Sequence, residues 1–113
     1  MRDARTYMRV PYRPGRASRS GVDCSGLTML VYQKVGIELP HDVEEQYDDH
    51  GSRVRGKPKA GDLVFFNEHR KGISHVGIAT GRGTIIHASG HWHRVVETRI
   101  EYVRGYAGTK RLL

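Results

Sequence analysis

The 113-residue sequence has no apolar run approaching the roughly 18 residues that a bilayer-spanning helix needs, which excludes a membrane span. Its first residues, Met1-Arg2-Asp3-Ala4-Arg5, lead into mixed polar sequence without the apolar segment of an export signal. Cysteine occurs once, at Cys24, so an internal disulfide framework and a zinc site built on several thiolates are both excluded. Low-complexity tracts, internal repeats and linkers are also missing, and the length suits one domain spanning residues 1–113. Hydrophobic residues at 37% and charged residues at 27% suffice for one modest core and argue against wholesale disorder.

Acidic charge is the minority sign. Nineteen Lys and Arg against 12 Asp and Glu leave a formal +7, with a sequence pI near 9.9. Such a surface is drawn to polyanions, among them the acidic polymers of a bacterial envelope. The cations are scattered from Arg2 to Arg111, with no dense run, stacking platform or reading helix, so specific nucleic-acid recognition is not expected.

Glycine and proline divide the chain into segments. Asp3 to Arg9 is predicted as a short helix stopped by Pro11, and Pro11 to Gly21 as a loop. Leu27, Leu30, Val31 and Val35 form one apolar stripe at helical spacing, with Asp23 as N-cap and Gly36 as stop. Pro40 and Asp42 open a shorter helix carrying Val43, Gln46 and Tyr47, ended by Gly51, and Arg53 to Gly61 follows as a loop. The period then becomes that of strands: Asp62–Phe66, His75–Thr80 and Thr84–Ala88, the last two joined by a Gly81-Arg82-Gly83 hairpin, then Arg94–Glu97 and Tyr106–Leu112. Helices first and an antiparallel meander second describe an α+β domain, N-terminal helices on a sheet of about five strands.

The hairpin carries the chemistry. Its centre near Arg82 lies midway between His75 and His87, so both can project from one face of adjacent strands. Cys24 falls in the first turn of the main helix, where unpaired amides and the helix dipole favour a thiolate. If that helix packs its N-terminus on the histidine face, thiol, imidazole and second imidazole line up as nucleophile, base and orienting group. The same residues have plainer roles: a lone helical cysteine is commonly a small buried hydrophobe, and a strand histidine a hydrogen-bonded structural residue. Spacing alone leaves both open. His91-Trp92-His93, if extended, would put two imidazoles on one side, yet without a nearby carboxylate a polar loop at the cleft rim is the stronger expectation. His41, His50 and His69 are expected to face solvent.

The wording of the motifs goes further. Asp23-Cys24-Ser25-Gly26-Leu27, after Pro11-Tyr12 and Ser20-Gly21-Val22, resembles the nucleophile segment of the NlpC family of bacterial cell-wall cysteine peptidases. Gly36-Ile37-Glu38-Leu39-Pro40, Ala60-Gly61-Asp62-Leu63-Val64-Phe65-Phe66, Ser74-His75-Val76-Gly77-Ile78 and Ile86-His87-Ala88-Ser89 are similar to the family's later blocks, in the same order. The resemblance covers about Tyr7 to Arg111. It implies a papain-like fold and cleavage of an amide in peptidoglycan stem peptides, typically between γ-linked D-glutamate and a diamino acid such as meso-diaminopimelate. It further implies Cys24 as nucleophile, His75 as base and His87 as orienting residue, with Tyr12, Asp23, Ser25 and Ser74 contacting substrate and the Cys24 amide binding the oxyanion. No metal or organic cofactor is expected, and a monomer is.

Two departures fall near the expected cleft. Pro14-Gly15-Arg16 stands where the family often has aromatic-Gly-Gly, and His41-Asp42 follows Leu39-Pro40 where arginine is common. The alternatives to endopeptidase are a related amidase or acyl transferase using the same three residues, and a non-catalytic basic module that binds wall polymer or nucleic acid. Action in the cell wall or periplasm without an export signal in this chain fits a phage lysin, a tail-associated enzyme or an excised domain.

Overall fold

The computed structural model describes residues 2–68 and 72–113. Helix α1 (Arg2–Arg5) is shorter than the sequence pattern suggests. At Arg9 the backbone turns left-handed (φ 71°), and its N–H bonds the carbonyl of Val95, pulling the chain onto the sheet before a second helical turn can form. The following loop is not wholly irregular: β1 (Ala17–Ser18) and β2 (Gly21–Val22) form a small antiparallel ribbon.

Helix α2 (Cys24–Gln33) starts where Asp23 caps it, Oδ1 accepting from the Gly26 N–H at 2.8 Å. The second carboxylate oxygen accepts from the Gly15 N–H at 2.9 Å, which ties the preceding loop to the helix start. The helix ends before Val35, which is 52% exposed and not part of the buried stripe; Gly36 completes the stop at φ 84°. Helix α3 (Val43–Asp49) is capped by Asp42, whose Oδ2 accepts from the Glu45 N–H. Its fully buried Gln46 accepts from the Thr28 hydroxyl and donates to the carbonyls of Ser25 and Pro40. These bonds lock α3 against the first turn of α2, the turn that carries Cys24.

Among the described residues six antiparallel strands make the main sheet, one more than expected. They are β3 (Ser52–Arg53), β4 (Leu63–Phe66), β5 (His75–Ala79), β6 (Thr84–Ser89), β7 (Arg94–Arg99) and β8 (Tyr106–Arg111), in the order β3-β8-β4-β5-β6-β7. The added strand, β3, pairs with β8 at the margin of the sheet. Both faces of the sheet are apolar. Leu63, Phe65, Val76, Ile78, Ile86 and Ala88 pack with Leu27 and Val31 of α2. Val64, Phe66, Ala79 and Ile85 point the other way, under Ile100 and Val103 around a single 3₁₀ turn (Ile100–Tyr102). At the sheet margin, buried Asp62 receives the Arg111 guanidinium at 2.9 and 2.8 Å, closing the C-terminal strand onto the start of β4. Among the described residues no helix is long and apolar enough to cross a membrane.

Candidate active site

Pairing of Ile78 with Ile86 centres the β5–β6 hairpin on Arg82, which fixes the relation of the two histidines. His75 and His87 lie diagonally across the two strands, and His75 Nε2 is 2.7 Å from His87 Nδ1. Their rings meet edge to face with centroids 4.9 Å apart. Beside them Gly77 packs closely against β6. A Cβ there would lie 2.7 Å from Ile85 Cδ1 and 3.2 Å from His87 Cβ. Both histidines are buried, at 7% and 6% exposure.

The helix does not pack on the face that carries these rings. Alternation along β5 and β6 turns Val76, Ile78, Ile86 and Ala88 toward α2 and the two histidines away from it. Cys24 instead lies at the N-terminal end of β5, its thiol against the Val76 amide. Cys24, His75, His87 and Tyr12 line one cavity of about 370 Å³, together with Glu68, Ser74, Ser89 and His91. A second cavity of about 370 Å³ opens on the other side of Cys24, shares Tyr12 and Ser74 with the first, and is lined further by Asp23, Ser25, His41, Asp42 and Glu44. All seven residues singled out in the sequence therefore border one or the other of two cavities that share Tyr12, Cys24 and Ser74.

Burial dominates the thiol's ionisation and pushes it up to about 11. The amides of Val76, Ser25 and Cys24 itself oppose that shift, and the charge of Asp23 adds to it. The resting group is a neutral thiol, so the pull of the helix terminus toward thiolate is outweighed by desolvation. His87 moves the other way: burial lowers it to about 4, and it is uncharged at neutral pH. The Tyr12 hydroxyl is raised, first by burial and then by the charges of Cys24, Asp23 and Glu68, and so remains a donor.

Four residues join the site that the sequence did not single out for it. Glu68 Oε1 lies 3.7 Å from His75 Nδ1, the ring nitrogen remote from His87. Ser74 accepts through its hydroxyl from the Glu68 N–H at 3.2 Å, which holds the loop after β4 beside the cleft. Thr98 Oγ1 is 3.0 Å from His87 Nε2. His41, expected merely to face solvent, bonds Asp23 Oδ1 through Nε2 at 2.6 Å. Gly77 is the fourth, and its role is to leave room. His91 to His93 form a turn, with His93 at φ 62° and its carbonyl accepting from the Tyr12 N–H, so the extended pair of imidazoles does not occur. His50 is half-buried at the end of α3, and His69 lies outside the described residues.

The chain is 41% identical over 92 residues to a γ-DL-glutamyl hydrolase of Bacillus subtilis, covering 79% of this chain and 22% of that protein. It is 37% identical over 92 residues to the bifunctional muramidase/DL-endopeptidase CwlT of the same organism, covering 79% and 28%. This chain thus spans about a quarter of the length of those relatives. Among solved structures, the NlpC/p60 domain of the peptidoglycan hydrolase SagA superposes with a TM-score of 0.85 at 30% identity, over 98% of this chain and 94% of that one. The peptidoglycan hydrolase RipB of Mycobacterium tuberculosis gives 0.86 at 28% identity, over 99% and 62%. The NlpC/P60 family model matches residues 9–111, and with that match over nearly its whole length the chain belongs to the NlpC/P60 family.

Proposed function

We propose that the chain is a single peptidoglycan-hydrolase domain, a cysteine endopeptidase that cuts stem peptides at the amide between γ-linked D-glutamate and a diamino acid such as meso-diaminopimelate. The observation that carries the reading is the 2.7 Å bond between His75 and His87 bordering the same cavity as a thiol at a helix N-terminus. The relatives named as a γ-DL-glutamyl hydrolase and a DL-endopeptidase support the choice of bond.

In this reading His75 Nδ1 takes the Cys24 proton as sulfur attacks the scissile carbonyl carbon. The negative charge passes to the carbonyl oxygen, where the Cys24 amide and the Tyr12 hydroxyl donate to it. The tetrahedral species collapses, the C–N bond breaks, and the departing amine leaves with the proton from His75. Water then attacks the thioester, giving its proton to His75, and the free carboxylate and the thiol are regenerated. His87 holds the His75 ring throughout and, being neutral, does so as a hydrogen-bond partner and not as a counter-charge. Asp23, Ser25 and Ser74 border the lobe that receives the stem peptide, with Asp23 facing a substrate amine. No metal or organic cofactor takes part in these steps. The domain acts as a monomer at the wall, drawn to its anionic polymers by the +7 surface.

Mass spectrometry of products from defined stem peptides tests the proposal. Cleavage on the carboxyl side of γ-D-glutamate by the native chain, and none by folded Cys24→Ala, is the expected result. Products that persist in Cys24→Ala, or an intact peptide after prolonged incubation with native protein, would exclude it. Cleavage at another amide would transfer the same chemistry to an amidase.

A further inference from the structure

We propose that Thr98 is a positioning residue which makes the productive tautomer of His87 available, and through it the base form of His75. The inference rests on the reading of His75 as base and adds a fourth member to the chain of groups. Pairing of Ile85 with Thr98 and of His87 with Val96 puts Thr98 and His87 on one face of β6 and β7, diagonal to each other. His87 Nδ1 faces His75 Nε2 at 2.7 Å, and its Nε2 faces Thr98 Oγ1 at 3.0 Å. Both ring nitrogens of a buried imidazole are therefore committed to one partner each.

A neutral imidazole carries one N–H, and here its position decides the chemistry. With the hydrogen on Nε2, His87 donates to the Thr98 oxygen and its Nδ1 lone pair accepts from His75 Nε2–H. His75 then presents an Nδ1 lone pair to the thiol proton. With the hydrogen on Nδ1, His87 donates to His75 Nε2, the His75 hydrogen must sit on Nδ1, and that nitrogen cannot accept a proton. The first arrangement needs an acceptor beside His87 Nε2, because a buried N–H without one loses its hydrogen bond outright. The Thr98 hydroxyl supplies that acceptor. Valine at the same place has nearly the same shape and supplies neither donor nor acceptor; an N–H left without an acceptor costs more than a bare lone pair, so the second arrangement takes over.

The experiment pairs ring-nitrogen NMR with kinetics, using chain labelled with ¹⁵N-histidine as native protein, Thr98→Val and Thr98→Ser. In native protein at neutral pH, His87 should show a protonated Nε2 and a lone-pair Nδ1. In Thr98→Val the signals should move toward the Nδ1–H form, and kcat on a stem peptide should fall about 10- to 100-fold with KM unchanged. Thr98→Ser should restore both readouts, which a purely structural role for the threonine methyl would not predict. A native His87 protonated on Nδ1, or a Thr98→Val protein that keeps Nε2–H and full kcat, would overturn the inference. Native protein inactive on every stem peptide would instead remove the assignment of His75 as base, while the tautomer signals still decide the role of Thr98 toward His87.

Discussion

Alkylation of Cys24 by iodoacetamide separates the two influences on its proton, the dry surroundings and the neighbouring imidazole. Burial, reinforced by Asp23 and partly offset by the amides of Val76, Ser25 and Cys24, sets the thiol at about 11. At that value about one thiol in 10,000 is ionised at pH 7, against about 3% for an ordinary cysteine with a pKa near 8.5. A more basic thiolate is also more nucleophilic, and over ~2.5 units a Brønsted slope of 0.4–0.5 recovers about 13-fold. The net expectation for a buried thiol acting alone is labelling ~25-fold slower than a free thiol at neutral pH. His75 changes this by offering the proton a site within the cleft.

Time courses of intact mass across pH 5–11, for native protein and His75→Ala, read the difference directly. Native Cys24 should label readily near neutrality, with a pH profile set by the imidazole. His75→Ala should label at least tenfold more slowly at pH 7 and speed up only toward pH 11. Removing the ring widens the cavity that Cys24 borders, so slow labelling of the variant cannot be attributed to poorer access. Equal rates for the two proteins at pH 7, or a variant profile with its midpoint near 8.5, would refute the combination of a desolvated thiol and a working base.

Acid should expose the cost of burying His87. Its folded value of about 4 lies below the reference of 6.5, so the unfolded chain binds the proton first, and the stability present above pH 6.5 is lost as the pH falls toward 4. The loss amounts to roughly 3 kcal/mol at ~1.4 kcal/mol per unit. Urea unfolding at pH 7 and pH 4 should show native protein losing about that much more than His87→Gln, and equal losses would contradict it. Gly77→Ala adds a methyl that meets Ile85 Cβ at 3.0 Å and His87 Cβ at 3.2 Å, atoms fixed to the β6 backbone. It should cost about 1–3 kcal/mol in stability by overpacking and lower kcat further than that loss explains, whereas a fully active Ala variant would show that the histidine contact tolerates displacement.

What the sequence made legible depends on how local each determinant is. Asp23 and Gly36 announced α2 because a cap and a left-handed stop act within one turn. The apolar stripe nevertheless ran one residue group too far: Val35 matches the period, but the helical bonds end at Gln33. Strands of two residues, such as β1 and β3, have no period to detect and exist only because a partner edge is present. The histidine pair was readable from parity about Arg82. Thr98 was not, because β7 was expected to end at Glu97 and in fact continues to Arg99. The packing face was unreadable for another reason: Leu63-Val64-Phe65-Phe66 is buried on both sides, so alternation does not say which side takes the helix.

The ionisation of the site is the property furthest from the sequence, and it ties the rest together. Burial raises Cys24 to about 11 and lowers His87 to about 4, shifts of opposite sign with the same leading cause. Each disfavours a charged form, so at neutral pH thiol and second imidazole both rest uncharged. In the proposed reaction, proton transfer from Cys24 to His75 would create charge where little existed, and that charge would be met by groups already in place. The amides of Val76, Ser25 and Cys24 face the sulfur, Glu68 lies 3.7 Å from His75 Nδ1, and His87 Nδ1 lies 2.7 Å from His75 Nε2. The amides and the two rings are held by strand pairing and by the α2 cap, so they need no reorientation when the charge appears.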